Sequence, residues 1–583
     1  MSTPRIGIRP IIDGRRQEGI EKKSWEMAYM AKELIERNIK CANGKPGECV
    51  ISPVLIGGSK EASICHDHFA SQNVCATLST TPSWCFGCET MDLDPLTVKA
   101  VWGLNATERP GAVYLAAVMS AHAQMNLPAF SIYGKDVQDE ADSNIPADVK
   151  ESILRFARCA FAIGEMRNKC YVNIGAVSMG IAGSICNPDF FRKYLGIRCE
   201  WVDMTEVLRR IQFEIYDKTE YKKAIAWVKA NCKEGFDKNP SPHSKREKQR
   251  EWETIVKLTL ICRDIMFGNP VLLERGFIEE ANGRNAIAAG FQGQRMWSDW
   301  QSNADFTEAI LNSPFDWNGK RRHVVFATEN DTLNAVSMLF SNLVTCRSSV
   351  FADIRTFWSP DAVELATGKR PEGLIKDGFI HLINSGSAAL DASGRCIDNE
   401  GNPVIKQWWD ITDEDMTACM KATEWCPADL STFMGGGFSS HIITQAQMPV
   451  TLTRVNLISG LGPVMQIAEG YTCILPDDVH AILEQRTDPT WPTTWFCPRL
   501  TGKDAFRDVY SMMKNWGANH GSFTYGHIGK DLITLASMLR IPVSMHNVED
   551  DQVFRPHVWA AFGTKALEDA DYRACQNFGP LYK

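Results

Sequence analysis

No run of 18 apolar residues occurs in this 583-residue chain, so the sequence predicts no membrane-spanning helix. Nothing in the opening residues resembles a secretory leader. Met1-Ser2-Thr3-Pro4-Arg5 runs straight into Ile6-Gly7-Ile8-Arg9-Pro10, and a cytoplasmic protein is expected. Positive charge is not in surplus. The 62 Lys and Arg are outnumbered by 70 Asp and Glu, for a net charge of −8, whereas a protein built to hold a nucleic-acid backbone needs a basic face. Neither nucleic acid nor a membrane is the expected partner. No internal repeat or low-complexity segment is evident either.

What is present is ordinary for a globular protein: 44% hydrophobic and 23% charged residues, with length enough for three or four domains at roughly 150 residues each. Cysteine is plentiful, at 19 residues, but odd in number and scattered. Disulfide frameworks belong to small secreted domains, so free buried thiols are expected. The pair in Trp84-Cys85-Phe86-Gly87-Cys88 superficially copies a thioredoxin-type motif. However, Thr90-Met91-Asp92-Leu93-Asp94 does not continue as the expected helix, and no second CxxC completes a zinc site. Trp84 is of more interest as an aromatic on a loop.

Along the chain, strand-like segments at 5–12, 49–55, 74–78 and 129–133 alternate with helical ones at 24–40, 61–71 and 112–125. This pattern predicts a parallel sheet with helices on both faces. A long helix over 147–167 leads out of this unit, and Cys170-Tyr171-Val172-Asn173-Ile174 opens a second one. The glycine-rich stretch that follows, residues 175–184, fits neither a dinucleotide fingerprint nor a P-loop, and suits close approach to a small ligand better than phosphate. Residues 222–273 are strongly helical, and His243-Ser244-Lys245-Arg246-Glu247-Lys248 reads as a solvated face. Beyond residue 353 helices thin out while glycine, proline and tryptophan rise, which predicts a β-rich, barrel-like region. The expected fold is therefore α/β: two doubly wound parallel-sheet domains, 1–168 and 169–350, then a β-rich C-terminal domain, 351–583.

Two carboxylates stand out. Glu329 follows the strand-like His323-Val324-Val325-Phe326-Ala327, and Asp353 ends Ser349-Val350-Phe351-Ala352-Asp353, with helical spacing across 332–344. Strand, helix and strand at this length predict a right-handed βαβ crossover, which would bring both acids to one sheet edge where ligands bind. There they suit a divalent cation or shared acid/base work. The alternative is that both are helix N-caps or satisfied loop acids. A cation on two carboxylates commonly has another protein ligand. His520 and His527 lie in glycine-rich, loop-like settings, whereas His546 sits in a strand-like run and reads as a core histidine.

Taken together, Ile6-Gly7-Ile8-Arg9-Pro10 with Asp13-Gly14-Arg15-Arg16, Gly111-Ala112-Val113-Tyr114, Ala288-Ala289-Gly290-Phe291-Gln292-Gly293-Gln294-Arg295, Ala327-Thr328-Glu329-Asn330-Asp331, Asn384-Ser385-Gly386-Ser387, Trp491-Pro492-Thr493-Thr494-Trp495 and Trp516-Gly517-Ala518-Asn519-His520-Gly521 resemble the L-fucose isomerases. The resemblance spans essentially the whole chain. It implies a manganese-dependent aldose–ketose isomerase acting on L-fucose and D-arabinose, with Mn²⁺ held by Glu329, Asp353 and His520. It also implies a homohexamer with sites shared between subunits. Glu329 and Asp353 would be the catalytic carboxylates, and the residues do not say which is the base at each carbon. The resemblance suggests Arg15, Trp84, Met179, Gln294, Ser385, Trp495 and Asn519 as sugar-binding residues. Arg15 and Trp84 would reach a neighbouring subunit's site. Phe438 stands where relatives can carry Tyr, which would remove a hydroxyl from the substrate's reach. A metal-dependent sugar hydrolase or aldolase, or a non-catalytic sugar-binding protein, are the competing readings.

Overall fold

The computed structural model describes residues 3–139, 141–501, 508–549, 552–556, 558, 575 and 578–582. Met1 and Lys583, the outer bounds of the expected first and third domains, lie outside the described residues. Five parallel strands open the chain: β1 (Arg5–Pro10), β2 (Glu48–Ile51), β3 (Val74–Thr81), β4 (Val98–Gly103) and β5 (Ala129–Ile132), in the order β2-β1-β3-β4-β5. The helices Glu18–Asn38 and Ala147–Met166 bury Met27, Ile35, Phe156 and Ile163 on one face. Ser59–Ala70 and Gly111–Gln124 bury Phe69, Tyr114 and Val118 on the other. Apolar side chains on both faces explain why these strands read as continuous hydrophobic runs. The sequence reading omits β4, because Lys99 interrupts its apolar run. Lys99 is nonetheless buried, its ammonium donating to the carbonyl of Thr97 at 2.7 Å and to Thr97 Oγ1 at 3.0 Å.

A second sheet is also all parallel: β6 (Cys170–Ile174), β7 (Arg198–Val202), β8 (Ala286–Phe291) and β9 (Val325–Ala327), in the order β9-β8-β6-β7. The helical stretch predicted between β7 and β8 resolves into helices that include Lys218–Asn231 and Lys245–Phe267. The latter starts with a capping box, Ser244 against Glu247.

The third region is a closed six-stranded antiparallel barrel. Its strands β10 (Val350–Trp358), β11 (Phe379–Ile383), β12 (Pro449–Ile458), β13 (Gly462–Cys473), β14 (Thr493–Pro498) and β15 (His520–Tyr525) run β10-β11-β14-β13-β12-β15 and back to β10. Strand β16 (Val543–Met545) adds to β13 in parallel. Closure leaves the six strands no unpaired edge.

The predicted βαβ crossover does not form. Strand β9 belongs to the second parallel sheet and β10 to the barrel, so the helix Thr332–Thr345 joins two different sheets. The sequence contains the right elements, but pairing partners are a tertiary choice that local periodicity does not encode. The helix is buried on every side, and its polar stripe of Asn334, Ser337 and Ser341 is buried with the rest. Leu333, Val336, Met338, Leu339 and Leu343 share a core with Phe156 and Ile163 of the first region and Val455, Met465 and Ile467 of the barrel.

Every cysteine is a free thiol and most are buried, as expected. In the CxxC, burial pushes Cys85 up to about 12 while Cys88 is exposed, and only a short 3₁₀ turn, Cys88–Thr90, follows. Among the described residues, no helix is long and apolar enough to cross a membrane.

Candidate active site

Glu329 follows β9 at the carboxyl edge of the second sheet, in left-handed backbone (φ 56°), and Asn330 after it is left-handed too (φ 47°). Two successive non-glycine residues in that region are strained, and such strain persists where surrounding contacts hold it. Here Ser184 Oγ donates to the carbonyl of Glu329 at 2.8 Å and Tyr171 OH to Asn330 Oδ1 at 3.0 Å. Asp353 arrives from β10, and the antiparallel register sets it directly opposite His520, the first residue of β15. Such partners carry their Cβ atoms about 5 Å apart, which explains how residues so distant in sequence meet.

The three converge. His520 Nε2 lies 3.3 Å from Glu329 Oε2 and 3.1 Å from Asp353 Oδ1. Its other nitrogen, Nδ1, lies 2.7 Å from Asp331 Oδ2, and the same oxygen accepts from Arg454 Nη1 at 2.7 Å. Asp331 Oδ1 caps the helix Thr332–Thr345 by accepting from the Asn334 N–H at 3.0 Å. The helix cap considered for Glu329 or Asp353 is therefore Asp331. It is wholly buried; burial pushes its carboxyl up, but Arg454 and His520 outweigh that and hold it well below the usual carboxylate range. Burial disfavours a charged His520, and the hydrogen bonds to Asp331, Asp353 and Glu329 reverse this and raise it well above an ordinary histidine.

This donor set suits a divalent cation. With its Nδ1 proton held by Asp331, His520 could give up its Nε2 proton and offer that lone pair to an ion placed between the two carboxylates. Glu329, Asp331 and Asp353 carry three negative charges against one on Arg454, a deficit of two if His520 is neutral. Two donors at right angles, each about 2.1 Å from one ion, stand about 3.0 Å apart, close to the two spacings here. Among the described residues, no group of three or more His, Cys, Asp or Glu is spaced so that it could hold a metal ion as it stands. The side chains are drawn together as hydrogen-bonded ions instead.

Behind Glu329 lies a second acidic layer. Glu308 accepts from Thr328 Oγ1 at 2.6 Å and Ser387 Oγ at 2.8 Å, and Asp305 accepts from Ser439 Oγ at 3.0 Å. Burial raises Glu308 to about 7 and Asp305 well above the usual carboxylate range.

The remaining predicted residues divide into groups. Asn519 Nδ2 stands 3.0 Å from His520 Nε2, within the cluster, and Asn519 also lines a cleft of about 1060 Å³ beside it. Ser385 sits on a loop tied to the residue before Glu329, through Asn384 Nδ2 to Thr328 Oγ1 at 3.1 Å. Met179 follows β6 and Gln294 follows β8, at the same sheet edge as Glu329. Arg15 and Trp84 lie on the loops after β1 and β3, neighbouring strands at the switch point of the first sheet. Arg15 is 72% exposed and donates to Asp13 at 2.9 Å, and Trp84 is 40% exposed.

Two expectations need correction. Trp495 offers no free face: it is 2% exposed, stacked on His381 at 4.2 Å, and its indole N–H donates to His480 Nδ1 at 3.1 Å. The strand alternation that starts at Thr493 puts it on the face buried against Phe379, Val479 and Leu483, opposite Phe496. Phe438 is not placed to contact a sugar, for its ring is fully buried and stacked on Trp252 at 4.2 Å. The sequence reading also omits Asp331, Arg454 and Trp491. Trp491 precedes the strand, carries Arg355 over its ring at 5.4 Å, and has a buried indole N–H with no partner among the described residues. Its place on a loop rather than in β14 is the signal that separates it from Trp495. His527 donates to the Gly470 carbonyl at 2.9 Å and His546 pairs with Gln466 Nε2 at 3.0 Å, so both are structural.

Comparison with known proteins follows this geometry region by region. The family models described as the first N-terminal, second N-terminal and C-terminal domains of L-fucose isomerase match residues 3–168, 169–346 and 382–546. The chain is similar to an L-fucose isomerase of Clostridium perfringens, at 56% identity over 591 residues, and to one of Streptococcus pneumoniae, at 57% over 585. One from Bacteroides thetaiotaomicron is 57% identical over 588 residues. In each case all of this chain and 99% of the relative are covered. Fold, site and relatives together define an aldose–ketose isomerase. The chain belongs to the L-fucose isomerase family.

Proposed function

We propose that the chain interconverts L-fucose and L-fuculose, and D-arabinose and D-ribulose, through an enediol, with Mn²⁺ held by Glu329, Asp353 and His520. The observation that carries this reading is the approach of both carboxylates to within 3.3 Å of one imidazole nitrogen. When bound, the ion supplies Lewis acidity to a carbonyl and its neighbouring hydroxyl.

The protein's own groups do the proton work. Moving a carbonyl from C1 to C2 requires a base to take the C2 proton of the open-chain sugar and return it to C1. Such a base contributes about 10²–10⁴ in rate. Glu329 is nearly enclosed, whereas the Asp353 side chain is 25% exposed. We assign the two carboxylates to the two carbons between them, without fixing which serves which. Asn519, Ser385, Gln294 and Met179 line the sugar, and Trp491 takes the aromatic role expected of Trp495. Arg15 and Trp84, exposed on the first sheet's switch point, complete the site of another copy in a hexamer.

The test is to strip the protein of metal, incubate it with L-fucose or D-arabinose with and without Mn²⁺, and assay ketose. Ketose is expected only with the ion, and a sedimenting species of six chains is expected in the same sample. Undiminished ketose formation after metal removal overturns the metal-dependent reading. Cleaved products in place of an isomer favour a hydrolase or aldolase.

A further inference from the structure

Cys186 and Cys199 place their sulfur atoms 3.4 Å apart, and both are half-buried. Cys199 is held in β7, whereas Cys186 lies in the loop over 182–187 and lines the cleft that also reaches Arg454 and Asn519. Two other thiol pairs are as close, Cys396 with Cys419 at 3.7 Å and Cys473 with Cys497 at 3.4 Å, but all four of those thiols are fully buried. Access therefore singles out one pair. The two sulfurs are also unequal. Cys186 lines the cleft, and Cys199 is not part of that lining, so a small oxidant in the cleft meets Cys186 first. Cys186 is thus the nucleophile and Cys199 the resolving thiol.

The loop that carries Cys186 is a support of the active site. Ser184 Oγ holds the carbonyl of the strained Glu329 at 2.8 Å, and Thr332 Oγ1 donates to the Gly183 carbonyl at 3.0 Å. Gly183 packs so tightly that a Cβ there would lie 2.5 Å from Asp331 Oδ1 and 2.6 Å from Arg454 Nη2. Drawing the sulfurs from 3.4 Å to the bonded distance of about 2.0 Å pulls this loop toward β7.

We propose that Cys186 and Cys199 form a peroxide-sensitive dithiol whose closure to a disulfide displaces the loop over 182–187 and reversibly lowers turnover. The Cys186 thiolate attacks the peroxide, forming an S–O bond as the O–O bond breaks. Sulfur is oxidised by two electrons, and the departing hydroxide takes a proton to become water. The Cys199 sulfur then attacks the Cys186 sulfur, forming S–S and breaking S–O, and hydroxide leaves with the Cys199 proton as a second water. A dithiol reductant reverses the step by exchange.

The test treats the metal-loaded full chain with hydrogen peroxide, removes the excess with catalase, alkylates free thiols and maps peptides by mass spectrometry. A Cys186–Cys199 cross-linked peptide is expected, with Cys396, Cys419, Cys473 and Cys497 still alkylated on unfolding. Turnover is expected to fall roughly 10- to 100-fold, as for a misplacement of about 1 Å at a reacting group, and to return with dithiothreitol. Cys199→Ser is expected to leave a dimedone-reactive sulfenic acid at Cys186. Cys186→Ser is expected to keep its turnover through the peroxide treatment. Failure to find the cross-linked peptide, a cross-link that leaves turnover unchanged, or an equal loss in Cys186→Ser overturns the proposal. The peptide map reads the disulfide whether or not the assigned sugar is the substrate, so the two claims fail separately.

Discussion

Asp331→Asn is the substitution from which most can be learned. In the native site one carboxylate does three jobs: Oδ1 caps the helix Thr332–Thr345, and Oδ2 accepts from both Arg454 and His520 Nδ1. An amide retains only one acceptor oxygen. If that oxygen keeps the cap, the NH₂ faces two donors; if it turns to Arg454 and His520, the cap is lost. In the first case His520 gains by moving its proton to Nε2, which turns the nitrogen facing Glu329 and Asp353 from ligand into donor. Outer partners of this kind change metal affinity by about 10–100-fold, or roughly 1.4–2.7 kcal/mol. A separate cost falls on the fold, because the Arg454 side chain is 3% exposed and loses its charge partner, at about 3–5 kcal/mol. Calorimetric titration of metal-free Asp331→Asn with Mn²⁺, alongside its thermal unfolding, measures both. Weakened binding with turnover partly restored by excess Mn²⁺ is expected. A variant that binds Mn²⁺ as tightly as the native chain refutes the role given to Asp331.

Other substitutions follow from the same geometry. Glu329→Gln is expected to keep the circular-dichroism spectrum and melting behaviour while losing about 10²–10⁴ in turnover; near-normal activity in metal-replete buffer refutes the assignment. Ser184→Ala removes the hydroxyl that holds Glu329's carbonyl and is expected to destabilise by about 1 kcal/mol and to lower kcat more than it raises KM; a change in KM alone contradicts that role. Asp391 is fully buried, with Ser348 Oγ donating at 2.7 Å, and burial, only partly countered by that bond, moves it from 3.8 to about 7. Between those values the folded chain binds more protons than the unfolded one, so stability falls as pH rises from about 4 to 7. Asp391→Asn is therefore expected to be more stable than the native chain by up to about 4 kcal/mol at pH 8 and by only about 1.6 kcal/mol at pH 5, read as a higher melting temperature that narrows as pH falls. Equal melting temperatures at pH 8 would show that burial does not raise Asp391.

Much of this molecule was legible in the sequence where local pattern carries the information. Strands β1, β3, β5, β6 and β9, mostly buried on both faces, read as apolar runs, whereas β4, β7 and β8 did not, β7 being half-exposed with Arg198 and Glu200 in it; the turn from helix-rich to β-rich composition near residue 353 marks the onset of the barrel. Legibility stopped at long-range pairing. The segments around Glu329 and Asp353 have the spacing of a crossover, yet β10 finds its partners in β11 and β15. The carboxylates therefore meet across a domain junction and not along one sheet edge. Lys99 hid a strand because a buried ammonium looks like a surface residue until its carbonyl partners are seen. Asp331, two residues beyond Glu329, carries no sequence mark that separates it from an ordinary capping aspartate; the buried arginine and histidine beside it come from distant strands. Trp495 and Trp491 differ only in which side of a strand boundary they fall, and the boundary decides which of them keeps a free polar atom.

The central claim is that Glu329, Asp353 and His520 hold one ion, and anomalous scattering from crystals soaked in Mn²⁺ tests it most directly. A single peak is predicted between one oxygen of each carboxylate and His520 Nε2, at about 2.0–2.3 Å from each. No peak there, or a peak at other side chains with His520 still bonded to the carboxylates, would contradict it.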